Sequence, residues 1–278
     1  MNFIETPYKR FDPYVQTEET IFNNIQKDED FKKFDYNLVL FPTTFVINNY
    51  GIKDAYYILK NIVEQKTRQR KIFISQHIWT YRLDFKNGIV FTPHSTHTLP
   101  FITIPHYTLT MDKSKIREEK DLLFSFFGAV NYQSRRKIID LYENCDDHKM
   151  GWGIDPGIEG GTKSRNTEKY LDLMGRSNFS LCPRGTGVST IRLFESMAME
   201  SIPVIISDGF KPPLNEDINW NEFSITVKEG EVHKIKDILK QYSSDDINNM
   251  RKKLIEIYNE YFSNENLHKT IKIELEKL

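Results

Sequence analysis

The stretch Phe179–Ile206, FSLCPRGTGVSTIRLFESMAMESIPVII, decides the fold. It reads as a short strand, a turn punctuated by Pro183, Gly185 and Gly187, an amphipathic helix, and a second strand that is almost wholly apolar. Strand, helix and strand in that order make a parallel α/β unit. Two glycines in the turn let backbone N–H groups approach an anion, and the following helix directs its positive end to the same point. Ser189 and Thr190 stand where a helix cap is expected. Arg192 and Glu195, three residues apart, share one helical face. A phosphate-bearing ligand meets Gly185, Thr186, Gly187 and Arg192 first, with Glu195 one turn deeper to accept hydrogen bonds from hydroxyls such as those of a ribose. The pattern suits a nucleotide diphosphate.

Outward from this segment, the same rhythm recurs. Strands are predicted over 36–41, 71–75, 122–127, 149–154, 202–206 and 224–227, and helices over 20–33, 53–64, 135–143 (capped by Ser134), 168–175, 191–199, 234–241 and 245–262. Residues 76–112 read as loops and short strands, and 155–164 as a Gly-rich loop. The charge run Lys113–Asp121 is the linker candidate, and a solvated surface turn fits it equally. The implied organisation is a domain over 1–115, a nucleotide-binding domain over 116–245, and C-terminal helices over 246–278 that pack back on the first domain. In an open parallel sheet, ligands bind at the carboxyl ends of the strands.

Composition sets the outer bounds. A chain of 278 residues has room for two domains, and 39% hydrophobic with 28% charged residues describes a globular protein. The net charge of −1 gives no case for nucleic acid or an anionic membrane as partner, so any anion site is local. Apolar runs such as 202–206 fall far short of the ~20 residues of a membrane helix, and the N-terminal segment has no apolar core of a signal peptide. Two cysteines, Cys145 and Cys182, form no disulfide framework. A soluble cytoplasmic protein without a membrane span is the expectation.

The motif order resembles the exostosin family of glycosyltransferases (sugar-transferase family 47). The elements are Phe179–Gly185 with its Cys-Pro turn, Arg192 with Glu195, the strand Ile202–Ile206, Asp208, the turn Lys211–Leu214, and Trp220 with Phe223. Upstream, Phe126-Phe127-Gly128 followed by Arg135, and the Tyr170–Ser177 helix, continue the likeness over about residues 122–240. Glu200-Ser201 departs from the family's small residue and Cys, and the N-terminal third matches weakly. The resemblance implies an α/β fold of two Rossmann-like domains facing across a cleft (GT-B type). It implies an inverting transfer, without metal or other cofactor, of a sugar from a UDP-sugar to an oligosaccharide or glycoprotein glycan. Short relatives of bacteria and algal viruses, some adding a pentose such as xylose, suggest the same for this chain, with a host cytoplasm as its place if viral. Donor-site residues by this likeness are Gly128, Arg135, Arg184, Gly185, Thr186, Gly187, Ser189, Thr190, Arg192, Glu195 and Asp208, with Arg136 competing for the role of Arg135.

An inverting transfer also needs a general base for the acceptor hydroxyl. His77, Asp84, His94, His97, His106 and Asp12 are the candidates. His77 leads because it lies just past a predicted strand's carboxyl end, with Asp84 the carboxylate alternative. Each loop histidine is otherwise an ordinary surface or packing residue, and His94-x-x-His97 with His106 lacks the geometry of a metal cluster. Two other classes stay open: an inactive exostosin-like glycan- or nucleotide-binding subunit, and another nucleotide-binding enzyme such as a kinase. Retention of Arg192, Glu195 and the glycine turn counts against the first. The absence of G-x-x-x-x-G-K-[ST] and G-x-G-x-x-G counts against the second.

Overall fold

A computed structural model describes the chain apart from residues 9, 14, 15, 110 and 153–165, and describes only the backbone of 152, 166 and 167. The Gly-rich loop expected over 155–164 lies outside the described residues. The fold is α/β, as expected, with two parallel five-stranded sheets. Each sheet belongs to its own compact unit: Met1–Tyr107, Phe210–Asp217 and Tyr261–Leu278 form the first, Thr108–Gly209 and Ile218–Glu260 the second. The chain passes between units at 107/108, ahead of the charge run expected to be the linker, and the helix over 244–257 stays with the second unit.

In the first unit, β1 (Asn2–Glu5), β2 (Asn37–Leu40), β3 (Lys71–Ile74), β4 (Ile89–Thr92) and β5 (Ile102–Thr103) lie side by side in chain order, all parallel. Successive side chains feed two cores because a strand alternates its faces. Leu38, Ile72, Ile74, Ile89 and Phe91 pack with α1 (Thr17–Lys27) and the C-terminal helix Leu267–Glu276. Val39, Phe73 and Val90 face the other way, onto α2 (Thr43–Val63). Burial on both faces explains why β2 to β4 carry continuous apolar runs.

The structure corrects several element predictions here. The helix expected over 20–33 ends at Lys27, where Asp28 caps a separate tight turn over Glu29–Lys33 by accepting from Asp30 N–H at 3.0 Å. The helix expected over 53–64 begins ten residues earlier and bends at Gly51, whose φ of 85° interrupts the ladder. β1 occupies a segment for which no strand is predicted.

The second unit contains β6 (Leu122–Gly128), α3 (Gln133–Leu141), β7 (His148–Trp152), α4 (Asn166–Arg176), β8 (Ser177–Pro183), α5 (Ile191–Ala198), β9 (Ile202–Ile206), β10 (Ile225–Thr226), α6 (Ile235–Leu239) and α7 (Ser244–Ile257). Its sheet order is β10-β9-β8-β6-β7, all parallel. The chain leaves β6 to one side for β7 and returns to the other for β8, so the topology reverses between β6 and β8. That reversal marks the strand ends where α/β sheets bind ligands. Ser243 and Asp246 form a reciprocal capping box for α7. The helix expected over 245–262 ends at Ile257, followed by one wide turn over Tyr258–Phe262. No helix among the described residues is long and apolar enough to cross a membrane.

The end of α4 is the tightest backbone approach. A Cβ at Gly175 would lie 2.0 Å from the Lys115 carbonyl oxygen, and Arg117 N–H donates to the Gly175 carbonyl at 3.2 Å. Lys120 Nζ donates to the carbonyls of Gly175 (2.9 Å) and Met199 (3.3 Å), joining the last turns of α4 and α5. Because the obstacle is backbone, Gly175→Ala should destabilise the second unit by about 2 kcal/mol or more. Gly230→Ala, where an added Cβ meets nothing within 4 Å, should be close to neutral. Urea unfolding of both variants checks the contrast, and equal midpoints would contradict it.

Candidate functional site

The carboxyl ends of β6 and β8 meet the N-terminus of α5, and Arg192 is the residue they enclose. Its side chain is 9% exposed, with the guanidinium 4.7 Å from the Phe126 ring centre and 4.9 Å from that of Tyr170. Two aromatic faces offset part of the cost of burying the charge. Gly128 leaves room for this guanidinium at the end of β6, since a Cβ there would sit 2.4 Å from Arg192 Nη2 and push it aside. Arg192 Nε is buried with no hydrogen-bond partner among the described residues, and so is the hydroxyl of Ser189 three residues earlier. Buried donors without partners are rare and costly. Two of them at one helix N-terminus make a place for an anion.

Glu195, 6% exposed, accepts a hydrogen bond from the Tyr170 hydroxyl. Burial foremost, with Glu195 nearby, raises the Tyr170 hydroxyl well above its ordinary pKa, so it remains a donor. Tyr170 thus serves both charged residues, its ring toward Arg192 and its hydroxyl on Glu195. Its role escaped the sequence reading because it lies 25 residues from Glu195; the Tyr of the Tyr170–Ser177 helix was the available signal. Cys182 is buried beneath, its thiol pushed up to about 12 by burial, so it is inert packing rather than a nucleophile.

Other donor-site expectations are corrected in detail. Thr190 holds the N-cap position of α5 but makes no side-chain cap bond, and α3 is preceded by Tyr132 rather than capped by Ser134. Arg135 Nε, Nη1 and Nη2 donate to the carbonyls of Arg184 (3.0 Å), Ala129 (3.1 Å) and Pro183 (3.3 Å), so its guanidinium braces the loops beside β6 and β8. Arg136 is exposed. Arg184 lies 4.9 Å from the Tyr132 ring centre and donates to the Thr186 carbonyl at 3.2 Å, which shapes the Gly185–Gly187 turn from within. Asp208 is exposed and exchanges backbone–carboxylate bonds with Glu229, 3.1 Å each way, as a turn clamp. Among the described residues, Cys145, Asp147 and His148 bring potential ligand atoms within 4.8 Å of one another. Asp147 is already paired with Lys236 at 3.2 Å and Lys240 at 3.8 Å, which opposes a cation there.

In the first unit, a second polar cluster stands past the carboxyl ends of β1 to β4. Glu18, in the first turn of α1 and 1% exposed, accepts from Thr44 N–H (3.2 Å), Thr44 Oγ1 (2.8 Å) and Gln76 N–H (2.8 Å). Gln76 accepts from Thr17 N–H at 3.1 Å, and its Nε2 lies 3.3 Å from His106 Nδ1. His106 is buried, with its ring 5.2 Å from that of half-buried His94. Asp12 accepts from Asn48 Nδ2 at 2.9 Å. His97 is exposed.

The surroundings of two candidate bases, His77 and Asp84, weigh against that role. Trp79 N–H donates to His77 Nδ1 at 3.0 Å, which leaves the neutral ring's proton on Nε2, as a donor. Burial also lowers the His77 pKa to about 4. Asp84 sits in the turn before β4, at the amino end of the sheet, and is paired with Lys86 at 2.6 Å. Glu18 was missed altogether, because a glutamate in a helix's first turn ordinarily reads as solvated.

The chain matches the model of the "Exostosin GT47 domain" over residues 53–242. It is 26% identical over 172 residues to a probable glycosyltransferase of Arabidopsis thaliana, covering 60% of this chain and 31% of that protein. It is 36% identical over 85 residues to a probable glucuronoxylan glucuronosyltransferase of the same plant, covering 31% and 19%. The chain therefore spans a third or less of these two relatives' length. Among solved structures, the glycosyltransferase WaaG is similar at 10% identity and a TM-score of 0.48, with 98% of this chain and 99% of that one covered.

The buried carboxyl of Glu18 yields a pH test. Burial outweighs its three donors and raises its pKa from 4.5 to about 7. A raised folded-state pKa gives stability that is complete below the unfolded value and lost as pH rises through the folded one. The melting temperature of the wild type should therefore fall relative to that of Glu18→Gln between about pH 5 and about pH 8. The comparison cancels the opposite trend of His77, whose lowered pKa costs stability toward acid. Parallel melting curves across that range would contradict the assignment.

Proposed function

We propose that this chain, which belongs to the exostosin GT47 family, is an inverting, metal-independent glycosyltransferase that moves a sugar from a UDP-sugar to a glycan hydroxyl. The observation that carries the reading is Arg192, packed against two rings, whose Nε and the Ser189 hydroxyl three residues earlier are both buried without a hydrogen-bond partner among the described residues. A diphosphate accepts from both, and from N–H groups of the Gly185–Gly187 turn. Glu195 receives the ribose hydroxyls. As the bond to the anomeric carbon breaks, charge grows on the departing diphosphate, and fixed donors stabilise it where a metal serves elsewhere. We take the transferred sugar to be a pentose such as xylose, on the sequence resemblance alone.

The acceptor hydroxyl loses its proton as it attacks, and Asp12 is the group we assign to take it. Its carboxylate is oriented by Asn48, and it lies near enough to His77 to oppose that ring's loss of basicity. His77 Nε2–H is then a donor toward an acceptor oxygen rather than the base.

Calorimetry with UDP tests the donor half. Arg192→Lys, which keeps the charge but not the Nε donor, should weaken UDP by tenfold or more, about 1.4 kcal/mol, and EDTA should change neither affinity nor turnover. Unchanged affinity in that variant, or activity lost to EDTA and restored by Mn²⁺, would reject it. For the acceptor half, Asp12→Asn should lower turnover roughly 10²-fold or more with UDP affinity intact. A larger loss in His77→Ala would return the base to that residue, and NMR of the product anomer would show inversion or disprove it.

A further inference from the structure

The turn after β3 exposes aromatic surface beside the cluster just described. Trp79 is 37% exposed and Tyr81 52%, although both are large enough to be worth burying. The turn that carries them is rigid. Thr80, between them, is buried and its Oγ1 bonds Ser75 Oγ at 2.6 Å and the His77 carbonyl. Thr80 N–H donates to the His77 carbonyl at 3.0 Å, and Arg82 N–H to the Trp79 carbonyl at 2.9 Å. The Arg82 guanidinium lies 5.2 Å from the Trp79 ring centre and 5.6 Å from that of Tyr81, tying the two side chains together. The indole stands edge-on to His77, with ring centres 5.3 Å apart.

We propose that Trp79, supported by Arg82 and Tyr81, is a stacking platform for a sugar ring of the acceptor glycan, next to His77. The inference rests on the glycosyltransferase reading and adds to it a recognition element for the acceptor. A pyranose presents an apolar face of C–H groups and an equatorial rim of hydroxyls. An exposed indole covers the first, while Arg82 and His77 Nε2–H supply polar partners for the second. A single large ring fixed by its turn loses little freedom when it is covered, which favours binding. The location, past the carboxyl end of a parallel strand, is where such sheets receive ligands. Nucleic acid bases also stack on exposed rings, but the net charge of −1 gives no electrostatic draw for a phosphate chain.

The test titrates xylohexaose, cellohexaose and a heparosan hexasaccharide into the wild type and Trp79→Phe, reading tryptophan fluorescence and acceptor kinetics. At least one of the three should shift wild-type emission, and Trp79→Phe should remove that shift. Trp79→Ala should raise the acceptor KM tenfold or more with little change in kcat, and Trp79→Phe should restore most of it. UDP affinity should stay within twofold in both variants. No emission change with any of the three glycans, or an unaltered acceptor KM in Trp79→Ala, overturns the platform while leaving the donor site standing. Loss of UDP binding in the wild type instead defeats the underlying reading. If Trp79→Ala fails to fold, Tyr81→Ala and Trp79→Phe carry the KM comparison.

Discussion

A guanidinium packed against two aromatic rings is the constraint on which the second unit is arranged. Burying Arg192 removes water from a permanent charge, which is costly unless something replaces the water. Phe126 and Tyr170 both bring their ring quadrupoles to it, and Gly128 leaves room for Nη2 against β6. The same ring of Tyr170 carries the hydroxyl that satisfies Glu195, so one side chain positions the cation and the anion. The sheet reversal between β6 and β8 brings these groups together: β6 gives Phe126 and Gly128, α4 gives Tyr170, and α5 gives Arg192 and Glu195. What is left unsatisfied, Arg192 Nε and the Ser189 hydroxyl, points the chemistry toward an anionic ligand.

Legibility in the sequence followed the physics of each segment. β9 is a continuous apolar run and β6 is one but for Ser125, because both faces of a parallel sheet are covered, and such runs announce themselves. β1 and β5 do not. A four-residue edge strand such as Asn2–Glu5 and a two-residue one such as Ile102–Thr103 take their form from pairing with a neighbour, which no local pattern encodes. The start of α2 was hidden because Gly51 separates two helical stretches and breaks the apolar period between them. In the candidate site, Arg192 and Glu195 stand out in the sequence by their helical spacing behind a glycine turn, whereas Gly128 stands out only through the family resemblance. Tyr170 in its double role does not, because its partner lies two elements away. Arg135 is expected as a ligand from the family resemblance and its place after the Gly128 turn, and three carbonyl oxygens beside the loops accept from its guanidinium.

The first unit shows the same lesson in its polar cluster. Glu18, Thr44 and Gln76 lie up to 58 residues apart in the chain and meet only because α1 and α2 begin where β3 ends, at the carboxyl end of the sheet. A carboxyl that receives three hydrogen bonds is usually made more acidic, but complete burial reverses the sign here. His77, which sequence position favoured, is decided by a single backbone N–H two residues ahead. A tautomer set by a local turn is invisible until the turn is seen.

The most direct test of the central claim is a crystal structure of the protein with UDP bound. The account predicts β-phosphate oxygens within about 3.2 Å of Arg192 Nε and Ser189 Oγ, with the ribose hydroxyls on Glu195. UDP bound elsewhere, or bound with Arg192 Nε and the Ser189 hydroxyl still without partners, would contradict it.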